Sequence, residues 1–183
     1  MSRRELGNGV WYDASLKGYA MLDVTEHIPS LRPTAIDGVT VYPKEGEFHV
    51  SIANLRELAL QNLFQEAAMA LFLRHQMASE ENRLSWNGFS GEYYVCHKPN
   101  EQGEEQTTVI AGVDIVGLRA LERTMRHTFD TSIRLSQPHV TLLKSANSPY
   151  GIGVNSPEAL QNLCTRDDTL TERVFDTDRM SGE

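Results

Sequence analysis

Two short segments of the chain share one pattern: a histidine, an apolar residue, a hydroxyl residue and a second apolar residue. They are residues 49–52, His-Val-Ser-Ile, and residues 139–142, His-Val-Thr-Leu. Each lies in a run of β-branched and apolar residues, which predicts a strand. Because side chains alternate between the two faces of a strand, each segment should present its histidine and hydroxyl together and bury its apolar pair. The candidate catalytic residues are therefore His49, Ser51, His139 and Thr141.

Two imidazoles and two hydroxyls suit the cleavage of a phosphodiester. In-line displacement needs one group that takes a proton from the attacking oxygen and another that protonates the leaving oxygen. Histidines titrate near neutral pH and can divide these roles. The hydroxyls can donate hydrogen bonds to the nonbridging phosphate oxygens. A strained ester such as a 2′,3′-cyclic phosphate would need no metal-activated water.

The paired motifs resemble those of the two-histidine (2H) phosphoesterase superfamily, which is named for two His-x-Ser/Thr segments flanked by apolar residues. The match covers residues 49–52 and 139–142, and their spacing of about ninety residues is also compatible with the family. The resemblance implies a bilobal α+β fold in which each lobe contributes one motif to a central cleft. It further implies activity on cyclic phosphates or 2′-linked phosphodiesters of nucleotides and RNA, with no cofactor.

Two alternatives stay open at this point. A hydrolytic metal site would need an acidic residue joining the two histidines, yet the residues two positions further on are hydroxyls, which are poor zinc ligands. A nucleotide-binding or RNA-end-binding module could instead keep the fold and use the histidines only to hold phosphate. Turnover of a cyclic nucleotide in the presence of a chelator would separate these readings.

Further substrate contacts are expected close to the motifs in sequence. Tyr42 and Lys44 precede the first motif, and Lys144 and Tyr150 follow the second. Lysine can bind phosphate, and a tyrosine ring can stack on a base. Gly151 and Gly153 form part of a turn rather than a dinucleotide-binding loop, because a third glycine is missing and Pro157 opens the next helix.

The strands and helices that position the motifs are predicted from the periodicity of apolar residues and from the positions of turn and cap residues. Strands are predicted over residues 19–24, 39–42, 47–52, 92–97, 107–115 and 139–144, the second and third of them in hairpin spacing around the turn 43–46. A long helix is predicted over 55–77, with Asn54 as its N-cap. A second, amphipathic helix carries Leu118, Leu121, Met125 and Phe129. A last helix begins after Ser156, with Pro157 at its first position.

A strand-then-helix order occurs twice, so the sequence predicts an α+β fold of two similar lobes, each with an antiparallel sheet and flanking helices. One bilobal domain is expected over residues 1–183, with 165–183 as a polar C-terminal tail. The stretch 98–105 is expected to be a loop.

Composition restricts the partners. The 183 residues carry a formal net charge of -8, which argues against a long nucleic-acid-binding surface but allows a local pocket for a small nucleotide or an RNA end. Cys96 and Cys164 are the only cysteines and are expected to be buried free thiols. No secretory signal or bilayer-spanning stretch is evident. The sequence thus predicts a monomer in the reducing cytoplasm, without metal or membrane partners.

Overall fold

The fold is described from a computed structural model, which covers residues 3–15, 18–61, 65–129, 132–148, 151–154 and 156–176. It is an α+β fold built on antiparallel strand pairs, so the predicted α+β class is confirmed, while the two similar lobes with a cleft between them stay a prediction. The chain divides into two compact units, each made of three separate segments. Unit 1 comprises residues 1–24, 49–88 and 114–138, and unit 2 comprises residues 25–48, 89–113 and 139–183.

The described strands are β1 (Arg3–Gly7), β2 (Val10–Asp13), β3 (Tyr19–Asp23), β4 (Thr34–Ile36), β5 (Val39–Pro43), β6 (His49–Asn54), β7 (Ser85–Pro99), β8 (Glu105–Val116), β9 (His139–Ser145) and β10 (Cys164–Arg166). The α-helices are α1 (Leu55–Gln61), α2 (Glu66–Met77), α3 (Leu118–Thr128), α4 (Pro157–Leu163) and α5 (Leu170–Val174). In the part of the chain that the structure describes, no helix is long and apolar enough to span a membrane.

In unit 1, strands β1, β2, β3 and β6 pair in that order, each antiparallel to the next. Alternate residues of β6 and the apolar stripe of α2 supply the core, which includes the fully buried Ile52, Met69 and Leu73. Helix α3 buries Leu121 and Met125, as its sequence periodicity predicts. The first motif therefore lies on a strand that contributes Val50, Ile52 and Ala53 to the buried core of this unit.

In unit 2, β9 pairs antiparallel with both β5 and β8, and β7 pairs antiparallel with β10. Strand β5 also pairs with β4 through the tight turn Asp37-Gly38, in which both residues have positive φ, at 48° and 79°. This Asp-Gly turn explains why the predicted hairpin between residues 39–42 and 47–52 is wrong. A two-residue turn with positive φ matches strand twist, so β5 takes its hairpin partner from the preceding residues.

The long helix predicted over residues 55–77 is also wrong, because it is two helices. Gln65 has an extended backbone, with φ -88° and ψ 132°, which interrupts the helix before Glu66. In one continuous helix, residues 56 and 66 would lie about 15 Å apart along the axis. The break instead lets Glu66 accept a 3.0 Å hydrogen bond from Arg56 Nε and another from the Tyr12 hydroxyl. The ion pair of Arg56 and Glu66 therefore links the two helices.

Two stretches for which the sequence predicted neither helix nor strand contain regular structure. Residues 85–91 belong to β7, in which Gly88 and Gly91 have positive φ. The predicted polar tail at 165–183 contributes β10 and α5, whose Leu170 and Val174 are fully buried. Leu170 and Val174 are four residues apart, which is helical spacing. The helix was not predicted because most of the surrounding residues are polar. Residues 177–183 lie outside the described part of the chain.

The cysteine prediction is wrong as well. Cys96 and Cys164 are directly opposite each other on β7 and β10, with 3.9 Å between their Cα atoms, and they form a disulfide. Strand pairing brings together two residues that are 68 positions apart, which cysteine spacing alone does not reveal. The prediction of a reducing, cytoplasmic setting thereby loses one of its arguments, since disulfides are rare there.

Candidate functional site

The first motif begins strand β6 of unit 1. Val50 and Ile52 are 0% and 1% exposed, whereas His49 and Ser51 are partly exposed. The predicted strand and its alternation are therefore confirmed at this motif. Neighbouring strand β3 places Met21 opposite Ser51 and Asp23 opposite His49.

A β-bulge follows the hydroxyl of the first motif. Ser51 is opposite Met21, but Ala53 is opposite Ala20, so Ile52 has no partner on β3. The extra residue shifts the alternation by one position, and Ile52 and Ala53 are consequently both buried. The Ile52 carbonyl accepts a 3.1 Å hydrogen bond from the Ser136 amide, so the bulge is held by the chain that leads toward the second motif.

The second motif begins strand β9 of unit 2 and repeats these features. Val140 and Leu142 are fully buried, while His139 and Thr141 are partly exposed. On the neighbouring strand β8, Ile110 is opposite Thr141 and Val109 is opposite Leu143, so Leu142 is the unpaired residue of a second bulge.

The carbonyl of this second bulge is held in a similar way. Leu142 O accepts a 2.9 Å hydrogen bond from the Lys44 amide, five residues before the first motif. Each bulge is thus tied to the chain segment that precedes the other motif. These backbone bonds fix the direction in which the strand leaves each motif.

The repeat therefore covers six residues, 49–54 and 139–144, rather than the four that the sequence pattern identified. Both segments show the same order of partly exposed and buried positions, with two consecutive buried residues after the hydroxyl. The signal in the sequence is the apolar pair itself, Ile-Ala in one segment and Leu-Leu in the other. Strict alternation would have placed Ala53 and Leu143 on the face of the histidines.

The sixth positions differ in chemistry. Asn54 caps α1 as predicted: its Oδ1 accepts a 3.1 Å hydrogen bond from the Glu57 amide, and its Nδ2 lies 3.4 Å from Glu57 Oε2. Lys144 occupies the equivalent position in the second segment, where the bulge turns it to the face of His139 and Thr141. Its Nζ donates a 2.9 Å hydrogen bond to the Ser148 carbonyl.

The chain after β9 returns across the second motif. A Cβ atom added to Gly151, which has φ +78°, would lie 3.2 Å from Thr141 Cγ2 and 3.5 Å from Thr108 Cγ2. Ile152 and Val154 then pack with Cys96 and Ile110 in a buried cluster. The Thr108 hydroxyl is buried and has no hydrogen-bond partner among the described residues. Gly151 thus lies directly against Thr141, whereas the turn predicted around it includes residues 149 and 150, which lie outside the described part of the chain.

The other predicted substrate contacts fall in different surroundings. Tyr42 is 49% exposed and lies directly opposite Lys144 on paired strands, so their side chains share a face. Lys44 donates through Nζ to the Glu47 carbonyl and lies 5.2 Å from the centre of the Phe48 ring, within the turn before the first motif. Tyr150 lies outside the described residues.

A second polar cluster occurs elsewhere in unit 2. His97 Nδ1 lies 3.3 Å from Glu105 Oε1, and its Nε2 lies 3.6 Å from Asp37 Oδ2. His97 and Asp37 line a pocket of about 300 Å³. Arg173 and Asp167, which also line the pocket, form an ion pair of 3.4 Å, and a hydrogen bond from the Thr169 hydroxyl lowers the Asp167 pKa. Across the described ranges, no three His, Cys, Asp or Glu side chains are grouped to hold a metal ion.

No protein-family model matches this chain, and neither a curated protein nor a solved structure is detectably similar to it. The local geometry of the two motifs is therefore the basis for a functional argument. Within unit 1 the structure brings His49 and Ser51 to one face, and within unit 2 it does so for His139, Thr141, Lys144 and Tyr42. That the two histidines act on one phosphate stays a prediction.

Proposed function

We propose that the protein is a metal-independent phosphoesterase of the two-histidine type, which opens a 2′,3′-cyclic phosphate or cleaves a phosphodiester in a nucleotide or RNA end. The observation that carries the proposal is the repeated local structure of residues 49–54 and 139–144. In both, a bulged strand buries its apolar residues and presents one imidazole and one hydroxyl together.

The chemistry follows from what these groups can do. One imidazole removes a proton from the attacking water, and the other gives a proton to the leaving ribose oxygen as the P–O bond breaks. The hydroxyls of Ser51 and Thr141 donate to the nonbridging oxygens, where charge must be stabilised during transfer. Lys144 adds positive charge on the face of Thr141, and Tyr42, opposite Lys144, offers a ring to the nucleoside.

The first test is turnover of 2′,3′-cyclic nucleotides in EDTA, followed by ³¹P NMR. We expect activity to survive the chelator and to show a bell-shaped pH profile, since one histidine must be neutral and the other protonated. His49→Ala and His139→Ala should each lose about 10²–10⁴ of the rate. His127→Ala, on an exposed position of α3, is the matched control and should keep full activity.

Three results would contradict the proposal. Loss of activity in EDTA that zinc or manganese restores would indicate a metal hydrolase. A binding module would be indicated if wild type and both histidine variants bound the nucleotide and none of them formed product. Equal turnover by wild type and His139→Ala would exclude the histidine pair.

A further inference from the structure

Asp23, the last residue of β3, is directly opposite His49, the first residue of β6. In an antiparallel pair, opposite residues project to the same face with Cβ atoms about 5 Å apart. Both residues are only partly buried. The Asp23 amide donates a 2.9 Å hydrogen bond to the Gly9 carbonyl, which anchors the end of β3 beside the histidine.

A carboxylate next to an imidazole has two effects. It orients the ring by accepting a hydrogen bond from one ring nitrogen, and it stabilises the protonated imidazolium. The second motif has a different neighbour at the equivalent position, since the residue of β8 opposite His139 is Gly112. Strand β8 therefore offers no carboxylate opposite His139.

We propose that Asp23 is a positioning residue that holds His49 in its protonated form, so that His49 is the general acid and His139 the general base. This inference rests on the proposed phosphoesterase function. His139 takes the proton of the attacking water, the water oxygen bonds to phosphorus, and the P–O bond to the ribose oxygen breaks. His49 gives its proton to that oxygen, Asp23 remains ionised throughout, and exchange with solvent restores both histidines.

Other charged groups of unit 1 lie near β6 and make contacts of their own. Arg56 of α1 pairs with Glu66, and Glu57 of α1 contacts Asn54 and Gln61. Arg134, in the segment that bonds to Ile52, donates to the Ile133 carbonyl. Arg56 and Glu57 come after the last residue of β6, whereas His49 is the first residue of that strand.

The test compares Asp23→Asn with Asp23→Glu, which keeps the charge. For Asp23→Asn we expect the alkaline limb of the kcat/KM profile to move down by about 1 pH unit, because the acid now loses its proton earlier. The rate above that limb should fall about tenfold, while the acidic limb stays in place. Asp23→Glu should restore most of the alkaline limb, and thermal melting checks that both variants fold.

Histidine titration by ¹H–¹³C NMR gives a readout that needs no turnover. In Asp23→Asn the midpoint of His49 should fall by about 1 pH unit, and that of His139 should stay the same. Movement of the acidic limb instead of the alkaline one would reverse the roles and overturn the inference. An unchanged His49 titration would remove Asp23 from the site and leave the phosphoesterase function standing. If wild type showed no turnover but the His49 titration still shifted in Asp23→Asn, the proposed function and the assignment of His49 as acid would both be wrong. The result would then show only that Asp23 interacts with His49.

Discussion

Gly151, in the segment after β9, lies against Thr141 of the second motif. Its positive φ and its contact with Thr141 both oppose a side chain. We expect Gly151→Ala to lower stability by about 1–2 kcal/mol for the backbone conformation alone, with a further loss from the contact. Because Thr141 must shift, phosphate turnover should fall as well. Denaturant unfolding and kcat/KM would measure the two effects.

The matched control is Gly103→Ala. Gly103 has φ +80°, nearly the same as Gly151, and an added Cβ would meet nothing within 4 Å. This variant should show the backbone cost without a change in activity. The difference between the two variants isolates the contact with Thr141. If both variants lost the same stability and kept the same activity, the close approach of Gly151 to Thr141 would have no role in stability or turnover.

Strands β6 and β9 show which part of the fold could be predicted from the sequence. Alternation of apolar and polar residues predicted both strands and the faces of His49 and His139 correctly, because burial has a period of two. The bulges were missed, since an unpaired residue depends on the register of a partner strand. Pairing of β5 with β9 and of β10 with β7 was missed for the same reason, since strand partners distant in sequence leave no local signal.

The disulfide between β7 and β10 secures the last described elements of unit 2. Cys96 is fully buried in a cluster with Ile110, Ile152 and Val154, and Cys164 follows α4 directly. We expect the double variant Cys96→Ser, Cys164→Ser to lose about 2–5 kcal/mol of unfolding free energy in oxidising buffer. Hydrogen exchange should rise first in residues 157–166, with β1 and β2 as internal references. Equal stability of wild type with and without reductant would contradict the covalent link.

The contact among β2, α1 and α2 makes stability depend on pH at the alkaline end. Burial, together with a hydrogen bond to Glu66, raises the pKa of Tyr12 from 10.0 to about 12. A raised pKa means that the folded state holds the proton more tightly, so this contribution is complete below pH 10 and is lost as pH rises toward 12. The stability advantage of wild type over Tyr12→Phe should therefore shrink between pH 9 and 12 in urea unfolding. An advantage that stays constant over that range would show that Tyr12 does not titrate in this way.

Each of the two units contains one of the two motif histidines: His49 begins a segment of unit 1, and His139 begins a segment of unit 2. Two of the five positions at which the chain passes from one unit to the other coincide with the first residue of a motif. Under the proposed function, one of these histidines gives a proton and the other takes one in the same step. The proposed function therefore predicts a kinetic signature: the losses of rate from replacing the two histidines are not additive.

Double variants test that signature. If the two histidines act on one transition state, the variant His49→Ala, His139→Ala should be little slower than either single variant, because removing one partner already disables the step. Ser51→Ala and Thr141→Val should show smaller losses, divided between kcat and KM, because these hydroxyls stabilise charge and transfer no proton. Single-turnover rates with a cyclic nucleotide would separate chemistry from product release. Additive losses in the double histidine variant would mean that the two motifs act independently, each within its own unit.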